Sequence, residues 1–278
     1  MKVNGIYHGD CQDLMHKMFI DKTFVNLIIT SPPYNTERQY ENPNGGDIEY
    51  RKRKHIKLYD EYKSQTDEEY VNWTKRKFKA FNKILKPNGV VLYNLSYGNS
   101  CTQKNDTSAT QLFNLIHEII QNTPFMVADV IIWKKKSALP NNTSRNKLTR
   151  ICEFVFVFCR KSEYSTFTCN KKIVSRSSKN HNYYSNLFNF VEAKNNDGRN
   201  ELNQATYSVE LVEKLLSMYG IQEDDNFLVF DPFSGTGTTA VACKKNGFDF
   251  IGCELSNEQC IYARKRLKGE QNGNNRQY

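Results

Sequence analysis

Phe227-Leu228-Val229-Phe230-Asp231-Pro232-Phe233-Ser234-Gly235-Thr236-Gly237-Thr238-Thr239-Ala240 reads as an apolar strand that ends in an acid, turns through Gly-x-Gly and enters a helix near Thr238. Glycines in such a turn adopt conformations barred to residues with a Cβ and let the backbone approach a ligand closely. The helix N-terminus beyond it offers backbone N–H groups and positive dipole that suit a carboxylate as well as a phosphate. A second strand, Phe248 to Cys253, ends at Glu254, roughly 20 residues past Asp231. An acid at that strand tip is where dinucleotide-type folds grip a ribose diol. The turn is not G-x-x-x-x-G-K-[ST], which disfavours nucleoside triphosphate hydrolysis, and it lacks the third glycine of a nicotinamide-dinucleotide turn.

Working outward, short β-branched or aromatic runs alternate with helical patterns. Strands are expected over Val25–Thr30, Gly89–Tyr93, Ala128–Trp133, Ile151–Phe158, Phe227–Phe230 and Phe248–Cys253. Helices are expected over Glu68–Ile84, with Leu85 at its end, and over Ala109–Gln121, Val209–Met218, Thr239–Asn246 and Glu258–Leu267. This alternation predicts βαβ units on a largely parallel sheet in an α/β domain. The tail, 268–278, is of low complexity and is expected to be disordered.

A second chemical motif is Ile28-Ile29-Thr30-Ser31-Pro32-Pro33-Tyr34-Asn35. Two prolines fix φ and remove two N–H donors, so nearby carbonyls can stand outward as a rigid array of acceptors. An amino group with two N–H bonds needs such acceptors, and the Tyr34 ring offers a stacking face for a planar base. By itself the segment reads equally well as an ordinary Pro-Pro loop after a strand.

The chain carries 39 Lys and Arg against 30 Asp and Glu, a formal charge of +9, which suits a polyanionic partner without requiring one. Its basic residues gather in three segments that break the α/β rhythm. Asn35 to Ser64 holds Arg51, Lys52, Arg53 and Lys54. Lys134 to Arg150 holds Lys134, Lys135, Lys136, Arg145, Lys147 and Arg150, and Lys161 to Arg199 mixes Lys171, Lys172, Arg176 and Lys179 with tyrosines and phenylalanines. Long irregular segments in a compact domain are commonly functional, although a single charge run also reads as a solvated face. The eight cysteines form no C-x-x-C pair and read as small buried hydrophobes in a reducing compartment, with no metal site. No signal-like apolar segment follows Met1 and no run is long enough to span a bilayer, so a soluble, intracellular protein with no membrane partner is expected.

Asp-Pro-Phe-x-Gly-x-Gly-Thr-Thr at 231–239 together with Thr-Ser-Pro-Pro-Tyr-Asn at 30–35 resembles the N6-adenine/N4-cytosine DNA methyltransferase family. The Pro-Pro-Tyr motif precedes the glycine turn, which resembles the circularly permuted β class of that family. Gly9-Asp10 resembles the family's early acidic motif, Leu85-Lys86-Pro87-Asn88-Gly89 its helix-to-strand turn, and Glu153 to Lys161 its late strand ending in Arg-Lys. The resemblance spans roughly residues 5–160 and 203–267. It departs from the family at Asn203-Gln204-Ala205-Thr206-Tyr207-Ser208, where many relatives carry a histidine and a proline; Asn203 and Ala205 remain candidates for lining the methionine end of the cofactor.

The resemblance implies a Rossmann-like class I methyltransferase fold, with a largely parallel seven-stranded sheet and helices on both faces. Residues 1–160 and 201–267 would form the catalytic domain and 161–200 a target-recognition insertion. It further implies S-adenosylmethionine as cofactor, held by Asp10, Asp231, Phe233, Gly235, Gly237, Thr238, Thr239 and Glu254. Double-stranded DNA would be the substrate, its target base flipped at a cost of a few kcal/mol. Ser31, Pro32, Pro33 and Tyr34 would be the catalytic residues: Tyr34 stacks on the base while the Ser31 hydroxyl and the Pro32 carbonyl accept from its amino group. Direct attack on the sulfonium methyl needs no covalent enzyme intermediate. Asn35 and the prevalence of adenine enzymes in the class lean the target to N6 of adenine, whereas serine at position 31 is commoner in enzymes acting on N4 of cytosine. RNA or protein amide methylation is a more distant alternative. The resemblance also admits a homodimer, a cognate restriction endonuclease acting on the same site, and a nucleoid or nuclear location.

Overall fold

The computed structural model describes residues 1–34, 66–97, 109–138, 145–146, 148–179, 181–198, 202–203, 206–221, 224 and 226–269. Ten strands occur among them: β1 Gly5–His8, β2 Val25–Thr30, β3 Leu85–Leu95, β4 Phe125–Lys135, β5 Cys152–Arg160, β6 Ile173–Arg176, β7 Asn182–Tyr184, β8 Phe190–Ala193, β9 Leu228–Asp231 and β10 Asp249–Glu254. The helices are α1 Cys11–Ile20, α2 Asp67–Ile84, α3 Ala109–Asn122, α4 Val209–Tyr219, α5 Thr238–Lys245 and α6 Asn257–Lys268.

One large sheet runs β1-β10-β9-β2-β3-β5-β4-β8. From β1 to β3 every neighbour is parallel; β5 inserts antiparallel to both β3 and β4. This is a Rossmann-like α/β fold, as expected, but with eight strands rather than seven. The extra strand is β8, which the sequence reading had placed in the insertion 161–200. It pairs parallel to the far edge of β4, Ile132 against Phe190 through Lys135 against Ala193, and covers an edge that would otherwise be open.

Successive strand residues point to opposite faces, and each face buries its own core. On one side Leu27, Ile29, Leu92, Val157 and Val229 pack against α4, α5 and α6; on the other Ile28, Val91, Tyr93, Phe158 and Phe230 pack against α1, α2 and α3. The β-branched, near-continuous apolar strands are what burial on both faces demands. Cys11–Ile20 was not recognised as a helix from sequence. Asp10 caps it, accepting from Gln12 N at 2.6 Å, and Cys11, Leu14, Met15 and Met18 form its buried stripe. At the other end of the chain Lys268 completes α6 and Gly269 caps it at φ 82°, so the regular structure reaches into the tail expected to be disordered; 270–278 lie outside the described residues.

No helix among the described residues is long and apolar enough to cross a membrane. Strands β6 and β7 form a separate two-stranded antiparallel ribbon whose residues are all exposed.

Helix α2, which carries side chains to the candidate site, starts at a reciprocal cap: Glu69 N donates to Thr66 Oγ1 at 3.2 Å and Thr66 N to Glu69 Oε2 at 2.8 Å. Its far end is clamped by Arg160. That guanidinium donates to Asn82 Oδ1 (2.6 Å) and to the carbonyls of Asn82, Leu85 and Lys86 (3.0, 2.6 and 3.0 Å), and it pairs with Glu163. Arg160→Met, which keeps most of the bulk but none of the donors, is expected to cost about 3 kcal/mol of stability. Urea unfolding checks this, and a midpoint equal to wild type would refute the clamp.

Candidate active site

In open α/β sheets ligands bind beyond the carboxyl ends of the parallel strands. Here β2 delivers Ser31-Pro32-Pro33-Tyr34, β9 delivers Asp231 and the glycine turn, β10 delivers Glu254 and β1 delivers Gly9-Asp10 to that one edge. Strands β2 and β9 are neighbours, and Thr30 Oγ1 donates to Asp231 Oδ1 at 2.7 Å in a buried bond that joins the two motifs.

The turn has the backbone its glycines permit. Gly235 has φ 52° and Gly237, the N-cap of α5, has φ 82°. A Cβ on Gly237 would stand 2.8 Å from the Ala263 Cβ, so α6 leaves room only for glycine there. At Gly235 the nearest groups are Asn203 Nδ2 and Gln259 Oε1, themselves bonded at 3.0 Å, which gives the turn a polar border.

Both acids face this turn. Asp231 accepts from Thr30, from Thr239 Oγ1 (2.6 Å), from Tyr207 OH (3.0 Å) and from Phe233 N (3.1 Å). Burial pushes its pKa up against these four donors. Glu254 accepts from Gly235 N at 2.8 Å and Ser256 N at 2.7 Å, and burial raises it to about 7. Thr238 Oγ1 accepts from Arg266 at 3.0 Å, which ties α5 to α6. The Ser234 hydroxyl is buried with no hydrogen-bond partner among the described residues. Asp10 caps α1 and stands 3.5 Å from the buried Lys77 ammonium.

Around the Pro-Pro turn, Pro32 is buried while Ser31, Pro33 and Tyr34 are half-buried. The Pro33 carbonyl accepts from Tyr70 OH at 2.9 Å. Ser31 Oγ lies 3.0 Å from Tyr34 OH, and Asn94 Nδ2 donates to Tyr34 OH at 2.7 Å. Phe233 packs on Trp73, ring centroids 5.3 Å apart, and Trp73 stacks on Tyr70 at 5.8 Å. An aromatic wall from α2 thus connects the glycine turn to the Pro-Pro turn.

The sequence reading missed Tyr70, Trp73 and Lys77, although their spacing puts them on one face of α2. It also gave no role to Asn94 or to Glu153, the single acid in β5, a strand otherwise apolar up to Arg160 at its end. Tyr207 lies in the segment that departs from the family pattern. Its hydroxyl, held well above the ordinary tyrosine range by burial and the Asp231 charge, pins both Asp231 and Thr239.

The basic residues separate into groups. Lys134, Lys135 and Lys136 do not lie in an irregular loop: the first two end β4 and all three are paired, with Glu192 (2.9 Å), Glu153 (2.5 Å) and Glu210 (2.7 Å). Arg150 lies over the Tyr97 ring and donates to the Tyr97 carbonyl. Arg145 is exposed, as are Lys171 and Lys172 at the foot of the β6–β7 ribbon. Arg51, Lys52, Arg53, Lys54, Lys147, Asn35 and Ala205 lie outside the described residues. Among the described residues the cysteines are free thiols, and no group of three or more His, Cys, Asp or Glu is arranged to hold a metal.

The chain is similar over most of its length to two curated type II methyltransferases. M.BglII of Bacillus subtilis is 22% identical, covering 98% of this chain and 71% of the relative, and M.HinfI of Haemophilus influenzae is 26% identical, covering 96% and 68%. Among solved structures, the cytosine-N4-specific PvuII DNA methyltransferase has a TM-score of 0.65 at 19% identity, covering 97% of this chain and 86% of that one. The M1.HpyAVI–SAM complex has a TM-score of 0.55 at 23% identity, covering 95% and 98%; both likenesses show the fold. The DNA methylase family matches residues 25–265, and the chain therefore belongs to that family of S-adenosylmethionine-dependent N6-adenine and N4-cytosine methyltransferases.

Proposed function

We propose that the protein is a site-specific DNA methyltransferase that methylates the exocyclic amino group of a flipped base, N6 of adenine in the reading favoured here. The observation that carries this is the Thr30–Asp231 bond: it holds the turn suited to a cofactor and the turn suited to an amino group side by side on adjacent strands. One-step transfer requires the two ligands to be that close. Serine at position 31 favours the second reading, N4 of cytosine, and the solved cytosine-N4 relative keeps that reading in view.

The residues at the glycine turn fit S-adenosylmethionine. Glu254 suits a ribose diol, Asp10 suits the adenine end, the Phe233–Trp73 wall suits an aromatic ring, and the buried Ser234 hydroxyl and the Asn203–Gln259 pair suit the polar methionine end. When bound, this cofactor supplies an electrophilic methyl group on a sulfonium. The chain's own part is to hold the base: Tyr34 stacks on it, and Ser31 Oγ and the Pro32 carbonyl accept from its amino group. Asp231, already accepting four hydrogen bonds, acts by holding the turn's shape.

The β6–β7 ribbon supports a place for DNA. Tyr164 to Val191 contains no Asp or Glu, while Lys171, Lys172, Arg176 and Lys179 line the ribbon and its connection. A two-stranded ribbon is narrow enough to enter a major groove. Residues 161–200 thus serve target recognition in this proposal, with β8 anchoring them to the catalytic sheet.

Tritiated methyl transfer into duplex DNA but not RNA, with the modified base identified by sequencing, is the expected result; transfer to RNA alone would refute the function. Glu254 near pH 7 gives a second expectation. Because its pKa is raised, the carboxylate is mostly protonated at pH 6 and ionised at pH 8, and only the ionised form has both oxygens free of protons to accept from a diol. Cofactor affinity by calorimetry should rise about tenfold from pH 6 to pH 8, and Glu254→Gln should remove that contribution; profiles that match would sink it. Replacing Lys171, Lys172 and Arg176 together by Ala should reduce the slope of log affinity against log salt by about 2 to 3. An unchanged slope would move the DNA elsewhere.

A further inference from the structure

Ser31 stands at the first position of the Pro-Pro motif, where an acceptor for the target amino group is needed. A hydroxyl is an ambiguous partner for an amino group: it can donate as well as accept. The base nitrogen gains nothing from a hydroxyl that points its own proton at it. Something must therefore fix which way the Ser31 proton faces.

The surroundings of Tyr34 do so. Glu153 rises from β5 into this site, only 5% exposed. Its Oε2 accepts from Tyr34 OH at 3.2 Å and from Asn94 Nδ2 at 3.0 Å, and its Oε1 is paired with the Lys135 ammonium at 2.5 Å. A carboxylate outcompetes neutral acceptors for a hydroxyl proton, because a charge-assisted bond is roughly twice as strong. The Tyr34 proton is thus committed to Glu153. The Tyr34 oxygen then acts as an acceptor, from Asn94 Nδ2 at 2.7 Å and from Ser31 Oγ at 3.0 Å. With its proton given to Tyr34, Ser31 turns lone-pair density to whatever lies in front of it.

We infer that Glu153 is a positioning residue for methyl transfer: through the Tyr34 hydroxyl it orients Ser31 as a pure hydrogen-bond acceptor for the amino group of the target base. The chain Ser31–Tyr34–Glu153 places a carboxylate two hydrogen bonds behind the serine, so Ser31 gains acceptor strength without being an acid. Lys135 is paired with Glu153 as its counter-ion, and Asn94 braces the arrangement by donating to both Tyr34 and Glu153. No covalent step is involved. The aromatic ring of Tyr34 stacks on the base while its hydroxyl serves this second purpose.

The inference rests on the function proposed above, and a double-mutant cycle separates the two. Single-turnover methyl transfer into plasmid DNA is measured for the wild type, Glu153→Gln, Tyr34→Phe and the double variant. Capture of the flipped base is followed by 2-aminopurine fluorescence at the target position, without cofactor. Tyr34→Phe keeps the ring and leaves the Glu153–Lys135 pair intact, so it tests the chain even if Glu153→Gln folds poorly. Each single variant should lose roughly thirtyfold in rate constant, the double no more than either, with base capture unchanged. A wild-type rate in either single variant, losses that multiply in the double, or loss of capture in step with the rate would overturn the inference. A wild type that methylates no DNA would overturn the function reading and the inference with it, whereas an active wild type beside an equally active Glu153→Gln overturns the inference alone.

Discussion

The buried hydrogen bond from Thr30 to Asp231 is the contact on which the site depends. It ties the last residue of β2 to the last residue of β9, and the chain leaves those two strands in turns of opposite character. After β9 the glycines allow left-handed backbone and a close approach; after β2 the prolines forbid most backbone freedom. A buried carboxylate must be hydrogen-bonded to be tolerated. Asp231 meets that requirement with donors from four places in the chain, Thr30, Tyr207, Phe233 and Thr239. The same bonds that stabilise the acid therefore set the relative position of both motifs.

Charge in this protein is distributed between internal and outward tasks. Lys134, Lys135 and Lys136 are each spent on a carboxylate at the β4 edge, and Glu210, drawn down to about 2 by Lys136 and a backbone N–H, joins α4 to that edge. The cations of the ribbon segment, by contrast, are exposed and stand in a stretch of sequence without an acid. A net surplus of +9 is thus a poor guide to which cations meet DNA. Position on the fold, and the partner already present, decide it.

Much of the fold was legible in the sequence because its elements are strongly patterned. β2 was read at its observed limits, and α3 and α4 within one residue, since their apolar periods are long and their ends are marked. β1 and α1 were missed: a four-residue strand offers too few alternations, and α1 mixes polar residues among its four buried ones. β8 was absorbed into a basic aromatic segment, since only pairing with β4 makes Phe190–Ala193 a strand. The site was half legible. Ser31 to Tyr34 and Asp231 to Thr239 were found as contiguous runs, while Tyr70 and Trp73 on α2, Asn94 on β3, Glu153 on β5 and Tyr207 ahead of α4 come from separate parts of the chain that no contiguous run joins.

By itself the sequence determined the α/β alternation, the two turns and the family, because apolar periods mark the longer elements and glycine and proline act on the backbone where they stand. Only the tertiary structure decided what each polar group is bonded to. Lys135 finds Glu153 across 18 residues, Lys134 finds Glu192 across 58 and Lys136 finds Glu210 across 74. Such pairings depend on strand neighbours and on burial, which no local pattern encodes. The hydroxyl of Ser31 is the clearest case: its residue type left the chemistry ambiguous, and the carboxylate that orients it arrives from another strand.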